Sequence, residues 1–172
     1  MKKIAILGPE STGKSELAEK LAKFYDVPWV PEYARRYVEK LKREYTFEDV
    51  CEIARVQIME EDRFAGHLGP EFVFFDTDLI ITKVWFEYCY HKIPDFVQQR
   101  LDESYFDAYL LCYPDLPWMP DPVRENGDKR MFFFDWYKKE IENTRKPYFV
   151  ISGINEQRLN NAISALHTLQ KK

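Results

Sequence analysis

Gly8-Pro9-Glu10-Ser11-Thr12-Gly13-Lys14-Ser15 follows directly on the apolar run Ile4-Ala5-Ile6-Leu7. The octet has the spacing G-x-x-x-x-G-K-S, and its setting is that of a P-loop: a short buried strand, a tight glycine turn, then a helix. Glycines at both ends let successive backbone N–H groups curl round a polyphosphate with no Cβ in the way. The helix expected from Lys14, with Leu17, Ala18, Leu21 and Ala22 on one face, turns the positive end of its dipole on the same phosphates. Gly8, Glu10, Ser11, Thr12, Gly13, Lys14 and Ser15 are therefore the expected triphosphate contacts. Lys14 is placed for the β- and γ-phosphates and the Ser15 hydroxyl for Mg²⁺. The octet predicts a protein that binds a nucleoside triphosphate.

A second set of chemical groups falls where other apolar runs stop. Asp76 closes Phe72-Val73-Phe74-Phe75, the Walker B arrangement, in which a carboxylate sits beside Mg²⁺ through the metal's water shell. Asp78, two residues on, is expected on the same rim. A hydroxyl attacking a γ-phosphate needs a carboxylate to orient it and take its proton. Asp76, Asp78 and Glu32 are the three candidates, although an Asp after a strand also suits a helix N-cap. Glu32 and Arg35 lie one helical turn apart in Glu32-Tyr33-Ala34-Arg35. They are expected either to face the cleft, Arg35 toward an acidic group or the phosphates and Glu32 toward a sugar hydroxyl, or to pair on the surface. Arg124 and Arg130 suit stabilisation of a transferring phosphoryl group, worth about 10³–10⁵ in rate. Tyr33, Trp85, Tyr105 and Trp118 supply rings, mostly for the core, with one or two free to stack on a planar base. Gly153 and Arg158, after the last strand-like run, suit closure over an adenine.

These groups need a frame. Strand-like runs near 3–8, 28–31, 72–76, 107–113 and 147–152 alternate with helix-like segments near 14–25, 33–44, 47–65, 79–91, 94–103, 132–144 and 156–170. That alternation predicts an α/β protein with a parallel sheet, whose ligands collect at the carboxyl ends of the strands. Thr46 reads as the N-cap of the third helix, with Glu48 and Asp49 in its first turn. The stretch from Tyr113 to Arg130 is irregular, with Pro114, Pro117, Pro120, Pro122 and Gly127. It follows a strand and precedes a helix, so a lid over about 114–131 is expected there.

The 172 residues suit a single domain spanning 1–172. A net charge of −4 and a pI near 5.5 argue against a nucleic-acid surface, which is strongly basic. The basic pairs Arg35-Arg36 and Lys171-Lys172 are too small to change that. Cys51, Cys89 and Cys112 are scattered and odd in number, as in a reducing compartment. No apolar stretch is long enough to span a bilayer, and Met1-Lys2-Lys3 leads straight into the first strand, so a soluble cytoplasmic protein is expected. The sequence has no N-K-x-D guanine-reading motif and no G-x-G-x-x-G, and His67, His91 and His167 stand alone.

Taken in order, the octet from Gly8 to Ser15, then Glu32-Tyr33-Ala34-Arg35, Asp76-Thr77-Asp78, Pro117-Trp118 with Asp121 and Arg124, and finally Arg130 give a chain that resembles the ribosylnicotinamide kinase domain of NadR-type proteins. The resemblance runs from residue 4 to about 158. It implies a three-layer P-loop NTPase fold of the nucleoside and nucleotide kinase type, a parallel five-stranded sheet flanked by helices with a lid. It also implies phosphorylation of the 5′-hydroxyl of nicotinamide riboside by MgATP, in NAD salvage. Lys14 and the P-loop then hold ATP, Ser15 and Asp76 hold Mg²⁺, and Asp78 or Glu32 fixes the ribose. Tyr33 or Trp118 stacks on the nicotinamide, Arg35 and Asp121 help to bind the acceptor, and Arg124 and Arg130 close over the phosphoryl group. The small-molecule nucleoside is the expected partner, with neither nucleic acid nor membrane. Two other readings fit the same residues: a kinase for a different nucleoside or nucleotide, and a nucleotide-responsive module without an acceptor.

Overall fold

Ile4, Ala5, Ile6 and Leu7 are all wholly buried, as a strand covered on both faces must be. In the computed structural model this run lies in the central strand of a five-stranded parallel sheet. The structure describes residues 1–64, 69–121, 124 and 126–170. His67, Pro122 and the Lys171-Lys172 pair, named above, lie outside the described residues.

Among the described residues the elements are β1 (Lys2–Leu7), α1 (Lys14–Tyr25), β2 (Trp29–Val30), α2 (Tyr33–Lys40), α3 (Phe47–Asp62), β3 (Phe72–Asp76) and α4 (Leu79–Tyr90). They continue with α5 (Asp95–Asp102), β4 (Ala108–Cys112), a 3₁₀ turn (Gly127–Lys129), α6 (Arg130–Asn143), β5 (Tyr148–Ile151) and α7 (Glu156–Gln170). The strand order is β2-β3-β1-β4-β5. β1 therefore has β3 on one side and β4 on the other, with Ile6 opposite Asp76 and Leu7 opposite Leu111.

Side chains alternate between the two faces of a strand, and the core divides accordingly. Ile4, Ile6, Phe72, Phe74 and Leu110 pack under Leu17 and Leu21 of α1 and Leu166 of α7. Ala5, Leu7, Val73, Phe75 and Leu111 pack under Ile80 and Val84 of α4 and Phe133, Tyr137 and Ile141 of α6. A third cluster, Val50, Cys51 and Ala54 of α3 with Leu79, Phe86 and Val97, fastens α3 and α5 to α4. The result is three layers with every strand's carboxyl end at one edge.

The second helix is shorter than its pattern predicts, ending at Lys40 rather than near 44. Leu41 is already extended because the next residues serve α3. Thr46 caps α3 in a capping box with Asp49, and the same carboxylate takes two bonds from Arg43 and one from Tyr37. Arg43 and the Thr46 donors hold Asp49 well below the usual carboxylate range. Among the described residues no helix is long and apolar enough to cross a membrane.

Candidate active site

The loop between β1 and α1 is closed on itself. A Cβ at Gly8 would stand 2.8 Å from the carbonyl oxygen of Cys112, so only glycine lets the loop leave the sheet beside β4. Gly13 turns into α1 at φ +73°, a conformation costly for other residues. Thr12 is wholly buried and donates to the Pro9 carbonyl at 2.8 Å. Lys14 Nζ folds back to the same carbonyl at 3.2 Å, a weak contact that a phosphate oxygen can replace.

This loop forms one wall of a cavity of about 440 Å³. Its other walls come from α2, through Glu32, Arg35 and Val38, and from α3, through Val50 and Ile53. Ile81, Thr82 and Trp85 of α4, Tyr45, Tyr137 and Arg124 complete it. The cavity has two characters: a charged end with Lys14, Ser15, Glu32, Arg35 and Arg124, and an apolar end walled by rings and branched side chains. Tyr45 and Trp85 stand 6.1 Å apart, centroid to centroid, at that second end. Burial pushes the Glu32 carboxyl up from its ordinary range, with Lys14, Arg35 and Arg124 pulling back and Asp76 adding to the rise. Asp76 ends β3 beside the P-loop strand and is 3 % exposed; it lines a small chamber beside β3 and not this cavity, and its buried Oδ1 has no protein partner.

Other expected site residues stand elsewhere. Asp78 does not line the cavity; its Oδ1 accepts from Ile80 N at 2.8 Å and caps α4. Burial and then Glu61 raise its carboxyl well above the ordinary range. Tyr33 packs on Tyr37 and faces a small chamber beside β3 instead of the cavity. Trp118 lies against Gly127, where a Cβ would come within 2.7 Å of the indole, and its Nε1 points at Glu10 Oε2, 3.4 Å away. Glu10 also accepts from Asn126 N at 3.2 Å, and Ser11 Oγ accepts from Met119 N at 3.1 Å. The P-loop thus holds Trp118, Met119 and Asn126 with two of its own side chains. Asp121 holds Arg35 at 2.8 Å, Arg124 donates to the Met119 carbonyl at 2.6 Å, and Arg130 to that of Leu116 at 2.7 Å. Gly153 and Arg158 are off the cavity wall. Arg158 is buried, bonded to the carbonyls of Gly153, Ile151 and Tyr113 and to Asp115, and so ties the ends of β4 and β5 together.

Of the apolar end, the sequence singled out only Trp85. Its available signal was local, Val50 with Ile53 on α3 and Ile81 with Trp85 on α4, at i,i+3 and i,i+4 spacing. Such pairs look like ordinary core stripes until the fold turns them to one cavity.

The buried acids behind β3 have a consequence for stability. Burial takes Glu61 up to about 7 in spite of Arg100, whose Nε lies 3.1 Å away, and Asp78 and Glu32 move the same way. An acid raised in the folded state contributes stability fully below its unfolded value, and that contribution is lost as pH rises through the folded value. The lowered Asp49 works oppositely, but its contribution is already complete above about pH 4. The ligand-free protein is expected to melt highest near about pH 5 and roughly 5–10 °C lower near about pH 8. Calorimetry across that range checks it, and Glu61→Gln flattens the decline.

Residues 3–158 match a family model described as an AAA domain. The chain belongs to that P-loop family. Within it, this domain is 31% identical over 138 residues to the trifunctional NAD biosynthesis/regulator protein NadR of Salmonella typhimurium, covering 75% of this chain and 33% of that protein. It is 32% identical over 130 residues to the protein of the same name from Escherichia coli, covering 72% and 31%. The chain thus spans about a third of the curated relatives it matches. The crystal structure of NadR in complex with NR superposes with a TM-score of 0.75 at 23% identity, over 97% of this chain and 51% of that one. Thymidylate kinase from Ehrlichia chaffeensis superposes with a TM-score of 0.63 at 15% identity, over 98% of each chain. The fold is that of the P-loop kinases.

Proposed function

We propose that this domain transfers the γ-phosphoryl group of ATP to the 5′-hydroxyl of nicotinamide riboside, giving nicotinamide mononucleotide and ADP in the cytoplasm. The observation that carries the reading is the two-ended cavity, a P-loop and charged groups at one end and an aromatic, apolar chamber at the other. The likeness to NadR supports the choice of acceptor. Nicotinamide riboside carries a cationic ring, and ring faces attract cations. Trp85 and Tyr45 line the apolar end, while the cavity's described cations, Lys14, Arg35 and Arg124, are grouped with the P-loop and Glu32. This reading gives the nicotinamide to Trp85 and Tyr45 and leaves Trp118 and Tyr33 as supports.

The acceptor oxygen forms its bond to Pγ as the bond from Pγ to the β,γ-bridging oxygen breaks, the electron pair leaving with ADP. The proton of the 5′-hydroxyl passes to Asp76 or Glu32. Glu32, raised by burial, is suited to hold the hydroxyl and to accept a proton near neutral pH. Mg²⁺ fits the residues present: the Ser15 hydroxyl at the head of α1 would ligate it alongside substrate phosphates, and the Asp76 carboxylate at the end of β3 would hold its water shell. When bound, the ion neutralises charge on the β- and γ-oxygens. Lys14 and the loop from Gly8 to Ser15 hold the phosphates, Arg124 meets the transferring group, and Arg130 braces the segment that carries it. Arg35 and Asp121 lock α2 to that segment, Asp78 fixes α4, and Gly153, seated by Arg158, edges the adenine site.

The test is ADP release from MgATP with nicotinamide riboside, set against other nucleosides and their monophosphates. Stimulation confined to nicotinamide riboside is expected; stimulation by another acceptor discards the substrate, and ATP binding with no stimulated turnover discards the enzyme. Trp85→Ala is expected to raise KM for nicotinamide riboside roughly 30-fold with kcat little changed, since ring packing and a desolvated cation–π contact together are worth about 2 kcal/mol.

A further inference from the structure

A second, much smaller chamber of about 10 Å³ lies against the end of β3. Gln57 of α3, Asp76 and Thr77 line it, and Tyr33 closes it. Gln57 Nε2, Thr77 Oγ1 and Asp76 Oδ1 are all buried, and none of them has a hydrogen-bond partner in the protein. The other end of the Gln57 amide is engaged, its Oε1 accepting from Thr82 Oγ1 at 3.0 Å. Thr77 is held at φ +82°, in the left-handed region a β-branched residue rarely adopts. Strain of that kind persists where surrounding structure requires a particular side-chain direction. Buried polar groups left unpaired are costly, so three together in one place call for a shared partner. A volume of this size admits one water molecule, which needs two to four polar partners. A donor on Gln57, an acceptor on Asp76 and a hydroxyl on Thr77 supply a matched set.

We propose that one internal water in this chamber ties Gln57 and Thr77 to Asp76, which makes Gln57 a positioning residue for the Asp76 carboxylate. Fixing one carboxylate oxygen from behind sets the plane in which the group meets a metal's water shell. Partners at that remove typically change metal affinity or activity 10–100-fold. The inference rests on the role given to Asp76 above.

Two measurements test it. A high-resolution crystal structure of the ligand-free protein is expected to show one ordered water within hydrogen-bond distance of Gln57 Nε2 and Asp76 Oδ1. Gln57→Met, similar in volume and without the amide, is expected to bind Mn²⁺ about tenfold more weakly in its complex with AMP-PNP, read by electron paramagnetic resonance. Its affinity for AMP-PNP in EDTA stays unchanged. A dry chamber overturns the proposal, as does Mn²⁺ affinity within about twofold of wild type, or an equal loss of metal-free nucleotide binding, which marks general damage. If the variant does not fold, the wild-type density decides. Acceptor-stimulated turnover of the wild type, measured separately, shows whether any failure lies instead with the kinase reading.

Discussion

Lys14→Ala is expected to slow phosphoryl transfer about 10³-fold while leaving the melting temperature of the ligand-free protein within about 1 °C of wild type. The ammonium has one weak contact in the free structure, 3.2 Å to the Pro9 carbonyl, so its removal takes little from the fold. In the reaction it faces charge that grows on the phosphate oxygens, where a preorganised cation in a water-poor site counts most. Single-turnover rates at saturating ATP and acceptor separate this from weaker ATP binding. A loss below about tenfold in the chemical step would show that the loop's amides and Arg124 carry the charge without it.

Asp76→Asn gives the second large effect, and here activity and stability move in opposite directions. Transfer is expected to fall at least about 10³-fold, because in the proposed reaction this carboxylate holds the ion's water shell and is one of two candidates for the proton, and the variant puts a neutral amide in its place. The same change removes a buried anion whose Oδ1 has no protein donor, a costly arrangement in a folded interior. Melting of the ligand-free variant is expected about 2–4 °C above wild type, corresponding to roughly 1 kcal/mol for a chain of this size. Scanning calorimetry and a Mg²⁺ titration of turnover check the two halves. Glu32→Gln, run beside it over pH, identifies the proton acceptor, since only that acid's variant loses the acid limb of the rate profile.

Much of the frame was legible because its signals are local. Continuous apolar runs marked the five strands, and the glycine-bounded octet marked the loop that leaves the first of them. Thr46 announced its capping box with Asp49. The strand order was not legible, because it depends on which crossovers pack. The apolar end of the cavity stayed hidden for a similar reason, since Tyr45, Val50, Ile53, Ile81 and Trp85 meet only after α3 and α4 are docked. Asp78 is a position the sequence left open. It sits two residues beyond a strand end, as Asp76's companion in D-T-D, and the turn through Thr77 at φ +82° brings it to the N-cap of α4, the alternative its place after a strand also suits. Trp118 and Tyr33 look equally suited to a planar ligand as letters, but Gly127 and Tyr37 take their faces.

Two members of the charged end, Glu32 and Arg35, hang on α2 and its cap, a helix eight residues long with none fully buried, following an edge strand of only two residues. Little apolar area resists its opening, whereas the P-loop is welded to the central strand. Amide hydrogens of residues 33–40 are therefore expected to exchange with deuterium far ahead of those in β1 and β3. If the acceptor binds at Glu32 as proposed, it is expected to slow that exchange, so that recognition of the nucleoside includes completing the folding of the helix beside it.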